Sequence, residues 1–195
     1  MKTVKGVYND NDQLLLLATL VQHNPMMAII FYIGVISGLR IGDILSLRVG
    51  VVKKEFNAFE KKTGKLKHIE FSDGGWHFIS MYIDKFNIPF GELLFKTTRQ
   101  TVYKYFKKAG KDLGLVDIGT HTMRKTYAFN VFRITQCIKQ TRDALNHKYV
   151  ATTVLYILGG CLWAIKRAFR GRTLANELYP SYPSKNVPEG PYNKI

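Results

Sequence analysis

The sequence predicts a mainly α-helical protein with one small antiparallel β-sheet, an α+β fold. Apolar residues recur at helical spacing through most of the chain, as Val102, Phe106, Ala109 and Leu113 do. Residues that start and stop helices (Ser, Asn, Asp, Pro, Gly) punctuate these stretches. A single hairpin signature stands apart from them: two short β-prone runs joined by "KTG" at 62–64.

In chain order, "NDND" at 9–12 supplies cap residues for a first helix through "QLLLLATLVQH". "NP" at 24–25 places a proline in the first turn of a second helix, which runs to Ser37 and ends at Gly38. The apolar stretch at 26–39 is shorter than the ~20 residues a bilayer crossing takes, so a buried helix is expected. "RIGDILSLR" adds a helical turn or two. Strands follow near 55–61 and 65–71. "SDGG" caps a helix over 75–87 that ends before Pro89, and "LLF" at 93–95 reads as a short strand. An amphipathic helix spans 98–113, and further helices lie at about 121–134, 135–145 and 151–157. "GG" at 159–160 breaks the pattern ahead of one more amphipathic helix at 161–170. The last 25 residues, with Pro180, Pro183, Pro188 and Pro191, read as an extended or disordered tail. Two units are therefore expected, 1–170 and 171–195.

Lys plus Arg number 29 against 14 Asp plus Glu, which gives the 195-residue chain a net charge of +15. Such an excess calls for a polyanionic partner, nucleic acid first and an anionic membrane surface second. On the 98–113 helix, Lys104, Lys107, Lys108 and Lys111 follow an i, i+3, i+4, i+7 spacing. That face is either solvated or set against phosphates, and Arg99 and Lys65 are grouped with it as DNA-binding candidates. Cys137 and Cys161 match no metal-ligand spacing and read as reduced core residues of a cytosolic protein. The N-terminus lacks the apolar core of a signal peptide. There is no Gly-rich phosphate loop and no acidic cluster suited to Mg²⁺. An ATP-driven enzyme and a two-metal nuclease or transposase are thus disfavoured, and neither metal nor cofactor is expected.

Three short motifs stand in order: "GLRIGDILSL" with Arg40 and Asp43, "HTMRKT" with His121 and Arg124, and "LNHKYVATTVLYI" with His147 and Tyr156. Each has a structural reading of its own, as a surface pair, a chance spacing or a core tyrosine. Taken together with "KTG", from about residue 10 to 157, they resemble the tyrosine recombinase (phage integrase) catalytic domain. The resemblance implies that fold, a double-stranded DNA substrate, and a homo-oligomer on DNA with four subunits in the active complex. It also implies a cytoplasmic location beside the nucleoid.

The implied chemistry suits the residue types. Arg40 and Arg124 would grip the nonbridging phosphoryl oxygens with forked donors, and His147 would add a third hydrogen bond. Tyr156 would attack phosphorus, with His121 as base or proton shuttle. Lys62 matches the family's hairpin lysine and would protonate the departing 5′ oxygen; Lys61 and Lys65 are alternatives for that role. Asp43, one turn from Arg40, is read as holding an arginine or histidine in place.

The chain departs from the family pattern in three places. Only about ten residues precede the first helix, where most members carry a core-binding domain. The chain is thus either a catalytic fragment or a member made of the catalytic domain alone. Asn146 stands where the family usually has Gly, and Asn also tolerates a left-handed backbone. Gly159–Gly160 would hinge a docking helix that packs on a neighbouring protomer or on its own domain. Competing functions are a type IB topoisomerase, which shares the chemistry, and a non-catalytic DNA-binding accessory protein of the same fold. An RNA-binding protein finds no supporting motif.

Overall fold

The structure, a computed structural model, describes residues 4–168. α1 (Asp10–His23) starts on Asn9, whose side chain accepts from the Asn11 N–H. Asn24 caps α2 (Pro25–Ser37) in the same way, and Pro25 occupies its first turn, where a missing N–H does no harm. Gly38 closes α2 with φ +63°. A Cβ there would also stand 2.2 Å from the Tyr127 ring, so backbone and packing both require glycine.

α3 (Ile41–Ile44) is a single turn. β1 (Glu55–Glu60) and β2 (Lys65–Glu70) form the antiparallel hairpin, with Ala58 opposite Lys67 and Glu60 opposite Lys65. α4 (Asp73–Lys85) is capped by Ser72 and α5 (Arg99–Asp112) by Thr98. α6 (Thr122–Thr135), α7 (Ile138–Ala144) and α8 (Val150–Ala168) complete the described chain. α2 lies at the centre, packed by α1, α4, α5 and α6. Its burial on nearly every side explains its almost wholly apolar sequence. Among the described residues no helix is long and apolar enough to cross a membrane. A second apolar cluster, Ala128, Leu145 and Ile157, joins α6, α7 and α8. Cys137 and Cys161 are unpaired and half-buried, Cys161 against this second cluster.

Two expectations fail locally. The 93–95 segment forms no strand; Leu93 makes an isolated bridge to Arg48, because its partner segment turns away at 50–51. The break at Gly159–Gly160 is absent, and α8 runs through both glycines. A Cβ on Gly159 would lie 2.5 Å from Tyr8 Oη, and one on Gly160 would lie 2.1 Å from the Phe129 ring. The glycines therefore let the helix backbone press against two aromatic rings, themselves packed edge to face at 5.2 Å. The expected hinge is a close contact within the chain. The tail at 171–195 lies outside the described residues.

Candidate active site

The first two motifs converge on a residue outside both. Arg40 precedes α3, where the chain leaves Gly38 in an extended conformation. Arg124, in the first turn of α6, is only 2% exposed. Between them stands Glu60, the last residue of β1, fully buried. Its Oε1 accepts from Arg124 Nη1 at 3.2 Å and lies 3.3 Å from Arg40 Nη1. Its Oε2 accepts from Thr63 Oγ1 and from Asn146 Nδ2, each at 2.9 Å. Burial alone would raise the Glu60 carboxyl; the Asn146 and Thr63 hydrogen bonds and the two guanidinium charges outweigh it and hold the group below the usual range. Glu60 is thus an anion at neutral pH, sharing one oxygen between two arginines.

Both guanidinium groups keep donors open. Arg124 gives Nη1 to Gly38 O and Glu60 and Nη2 to Leu145 O. A guanidinium has five N–H groups, so two stay uncommitted among the described residues. Arg40 Nη1 is buried yet meets Glu60 outside hydrogen-bond geometry, and it has no other hydrogen-bond partner among the described residues. A buried cation with an open donor is a ready seat for an oxyanion.

The third motif is anchored to Arg124 and Glu60, and to Lys67 of β2. The carbonyls at the end of α7 lack helical partners and carry the negative end of the helix dipole. Arg124 takes Leu145 O, and Lys67 Nζ takes Ala144 O. The chain then turns through Asn146 at φ +52°, the left-handed conformation expected there. His147 follows, its Nδ1 at 3.1 Å from Thr153 Oγ1. One and a half turns into α8, the Tyr156 ring meets the His147 ring edge to face at 4.8 Å. Lys125 Nζ lies 5.6 Å from the Tyr156 ring centre, and Tyr156 is close enough to act electrostatically on Arg124. Burial and the charges of Arg124 and Arg40 hold His147 down at about 4, so its imidazole is neutral at pH 7.

The remaining residues named from the sequence fall around this centre. His121 stands just before α6 and makes no capping bond to it; partial burial and the charges of Arg99, Arg124, Lys125 and Arg40 lower its pKa. Arg99, the first residue of α5, is near enough to His121 to act on it electrostatically. Lys104, Lys107, Lys108 and Lys111 are exposed along α5. Lys62 and Lys65 are exposed on the hairpin, Lys62 within its turn. Asp43 differs from expectation: its Oδ1 accepts the Lys61 backbone N–H at 3.2 Å, and it holds the hairpin rather than an arginine or histidine. The carboxylate that meets the arginines is Glu60.

Glu60 and Lys67 are the residues sequence reasoning missed. Lys67 is 8% exposed, with Nζ 4.4 Å above the Tyr127 ring. Burial, with the charges of Arg124 and Arg40, lowers its pKa to about 7 despite Glu60. Strand parity carried the signal for both. Phe56, Ala58 and Glu60 share one face of β1, and Lys67 and Ile69 the matching face of β2. A charged residue on the apolar parity of a hairpin is buried only where it finds partners, as Glu60 and Lys67 do and Lys65, on the same face of β2, does not.

The phage integrase family model matches residues 9–158. A probable integrase/recombinase, YoeC of Bacillus subtilis (strain 168), is 32% identical over 147 residues, which cover 71% of this chain and 80% of the relative. A probable integrase/recombinase of Acholeplasma phage L2 is 25% identical over 131 residues, 62% of this chain and 45% of that one. Among solved structures, the fold matches XerA recombinase at a TM-score of 0.66 and 19% identity, over 89% of this chain and 66% of that chain. The catalytic domain of bacteriophage HP1 integrase matches at 0.60 and 19% identity, over 90% of this chain and 99% of that domain. Lambda integrase, as a tetramer bound to a Holliday junction, matches at 0.60 and 18% identity over 80% of this chain and 49% of its own. With the family model spanning all three motifs, the chain belongs to the phage integrase family, the tyrosine recombinases.

Proposed function

We propose that this protein is a site-specific DNA recombinase that cuts and rejoins duplex DNA through a 3′-phosphotyrosine intermediate. The observation that carries the reading is the convergence of Arg40 and Arg124 on one buried anion, both with open donors, beside the His147–Tyr156 ring pair.

The uncommitted donors of both arginines would bind the two nonbridging oxygens and stabilise the charge that develops there. A Thr153 hydroxyl donating to His147 Nδ1 would leave the imidazole proton on Nε2, free to donate to the same phosphate. The Tyr156 oxygen would form a bond to phosphorus as the bond to the 5′ oxygen breaks. The phenol proton would pass to a base, for which His121 is the nominee, and Lys62 would give a proton to the departing oxygen. Attack of a 5′-hydroxyl on the phosphotyrosine reverses these steps and restores the diester without a nucleotide. The net charge of +15 suits duplex DNA as partner. Assembly on DNA as a tetramer, a cytoplasmic location beside the nucleoid, and the division into a 1–170 domain and a 171–195 tail belong to the same reading.

The test is a nicked suicide substrate carrying the recognised site. A denaturation-resistant protein–DNA adduct forms with the wild type and not with Tyr156→Phe. An adduct that survives the substitution refutes the nucleophile. No adduct with wild-type protein bound to its site favours the accessory reading, and relaxation of supercoiled plasmid without strand exchange favours the topoisomerase.

A further inference from the structure

The geometry points to Glu60 as the positioning residue of the phosphate clamp: a fixed counter-charge that aligns Arg40 with Arg124 and ties them to the lysine hairpin and the histidine turn. The inference rests on the recombinase reading above.

One carboxylate touches four separate segments. Oε1 meets Arg40 from the α2–α3 junction and Arg124 from α6. Oε2 takes Thr63 from the turn that carries Lys62, and Asn146 from the turn that carries His147. Two guanidinium groups so close together repel, and the shared anion offsets that repulsion while fixing their separation. Glu60 does not merely fill the seat of the phosphate. It is fully buried, and its second oxygen is held by two further donors, so leaving would strand a desolvated charge. Arg124 meanwhile keeps two N–H groups for an incoming oxyanion. Asn146 supplies what a glycine at that turn could not, a side-chain donor to Oε2.

Glu60→Gln keeps the size and removes the charge. Single-turnover cleavage of the suicide substrate is expected to slow on the order of 10²-fold, the size of loss that a misplacement of about 1 Å in the clamped phosphate can cause. DNA affinity, measured in a Tyr156→Phe background, should stay within about threefold or tighten, since the variant is one charge more positive. A lower folded fraction would reduce the amplitude of cleavage and leave the rate constant alone, so the rate reports positioning. Asn146→Gly, which removes only the donor to Oε2 and suits the left-handed turn, should slow cleavage about threefold to tenfold. Its effect should vanish in the Glu60→Gln background, because the two side chains act as a unit. If Glu60→Gln fails to fold, Asn146→Gly alone decides. Cleavage by Glu60→Gln at the wild-type rate, or faster, overturns the proposal; so does Asn146→Gly at the wild-type rate. Absence of wild-type cleavage would instead refute the recombinase reading.

Discussion

Replacing Lys67 by methionine tests whether a charged group really sits in the apolar face of the hairpin. An unfolded chain titrates this lysine near 10.5, and the folded chain near 7. Between those values the unfolded chain binds more protons, so Lys67 makes stability rise with pH across that window. At 1.36 kcal/mol per pH unit, the drop from 10.5 to about 7 is a penalty of about 5 kcal/mol, present in full below pH 7 and gone above 10.5. Methionine is close in size, loses the bond to Ala144 O, worth about 1 kcal/mol, and carries no penalty. Lys67→Met is therefore more stable than wild type by about 4 kcal/mol at pH 6, and that advantage shrinks by about 3 kcal/mol by pH 9. Urea denaturation of both proteins at pH 6, 7.5 and 9 measures it. An advantage that changes by less than about 1 kcal/mol over that range would show that Lys67 is solvated, and the account of the hairpin face would fall.

Lys62→Ala should slow strand cleavage far more than Lys61→Ala or Lys65→Ala. A substrate with a bridging 5′-sulfur, which leaves without a proton, should restore the rate; equal losses at all three positions refute the assignment. Neutralising Lys104, Lys107 and Lys108 should reduce the slope of log K against log salt by about 0.9 for each DNA phosphate that these lysines neutralise in the wild type, and an unchanged slope means that α5 faces away from DNA. His147, held near 4, should show no imidazole protonation by NMR between pH 7 and 5.5, and a midpoint near 6.5 contradicts its burial beside the arginines. Gly160→Ala gains about 1 kcal/mol of helix propensity. It also drives a methyl into the Phe129 ring, an overpacking that costs about 1–3 kcal/mol, so the thermal midpoint should fall. A rise would mean that α8 does not press on that ring.

What the sequence alone determined is whatever a few neighbouring residues decide. Asn9, Asn24, Ser72 and Thr98 cap helices because a side-chain oxygen reaches an N–H two or three residues on. Gly38 and Asn146 take left-handed turns, and the 62–64 turn closes a hairpin. The three motifs were likewise legible, since each spans no more than a turn and the start of the helix that follows it. The same local logic misread Gly159–Gly160: two adjacent glycines look like a hinge until the rings of Tyr8 and Phe129, far off in sequence, are seen against them. It also credited Asp43, the acid nearest Arg40 in sequence, with the contact that Glu60 makes in space. Only the tertiary structure decided that Glu60 would bind both arginines and that Lys67 would meet the end of α7. Those contacts join residues 20 to 86 positions apart, and their energies come from desolvation, which exists only once the chain has closed around the charges.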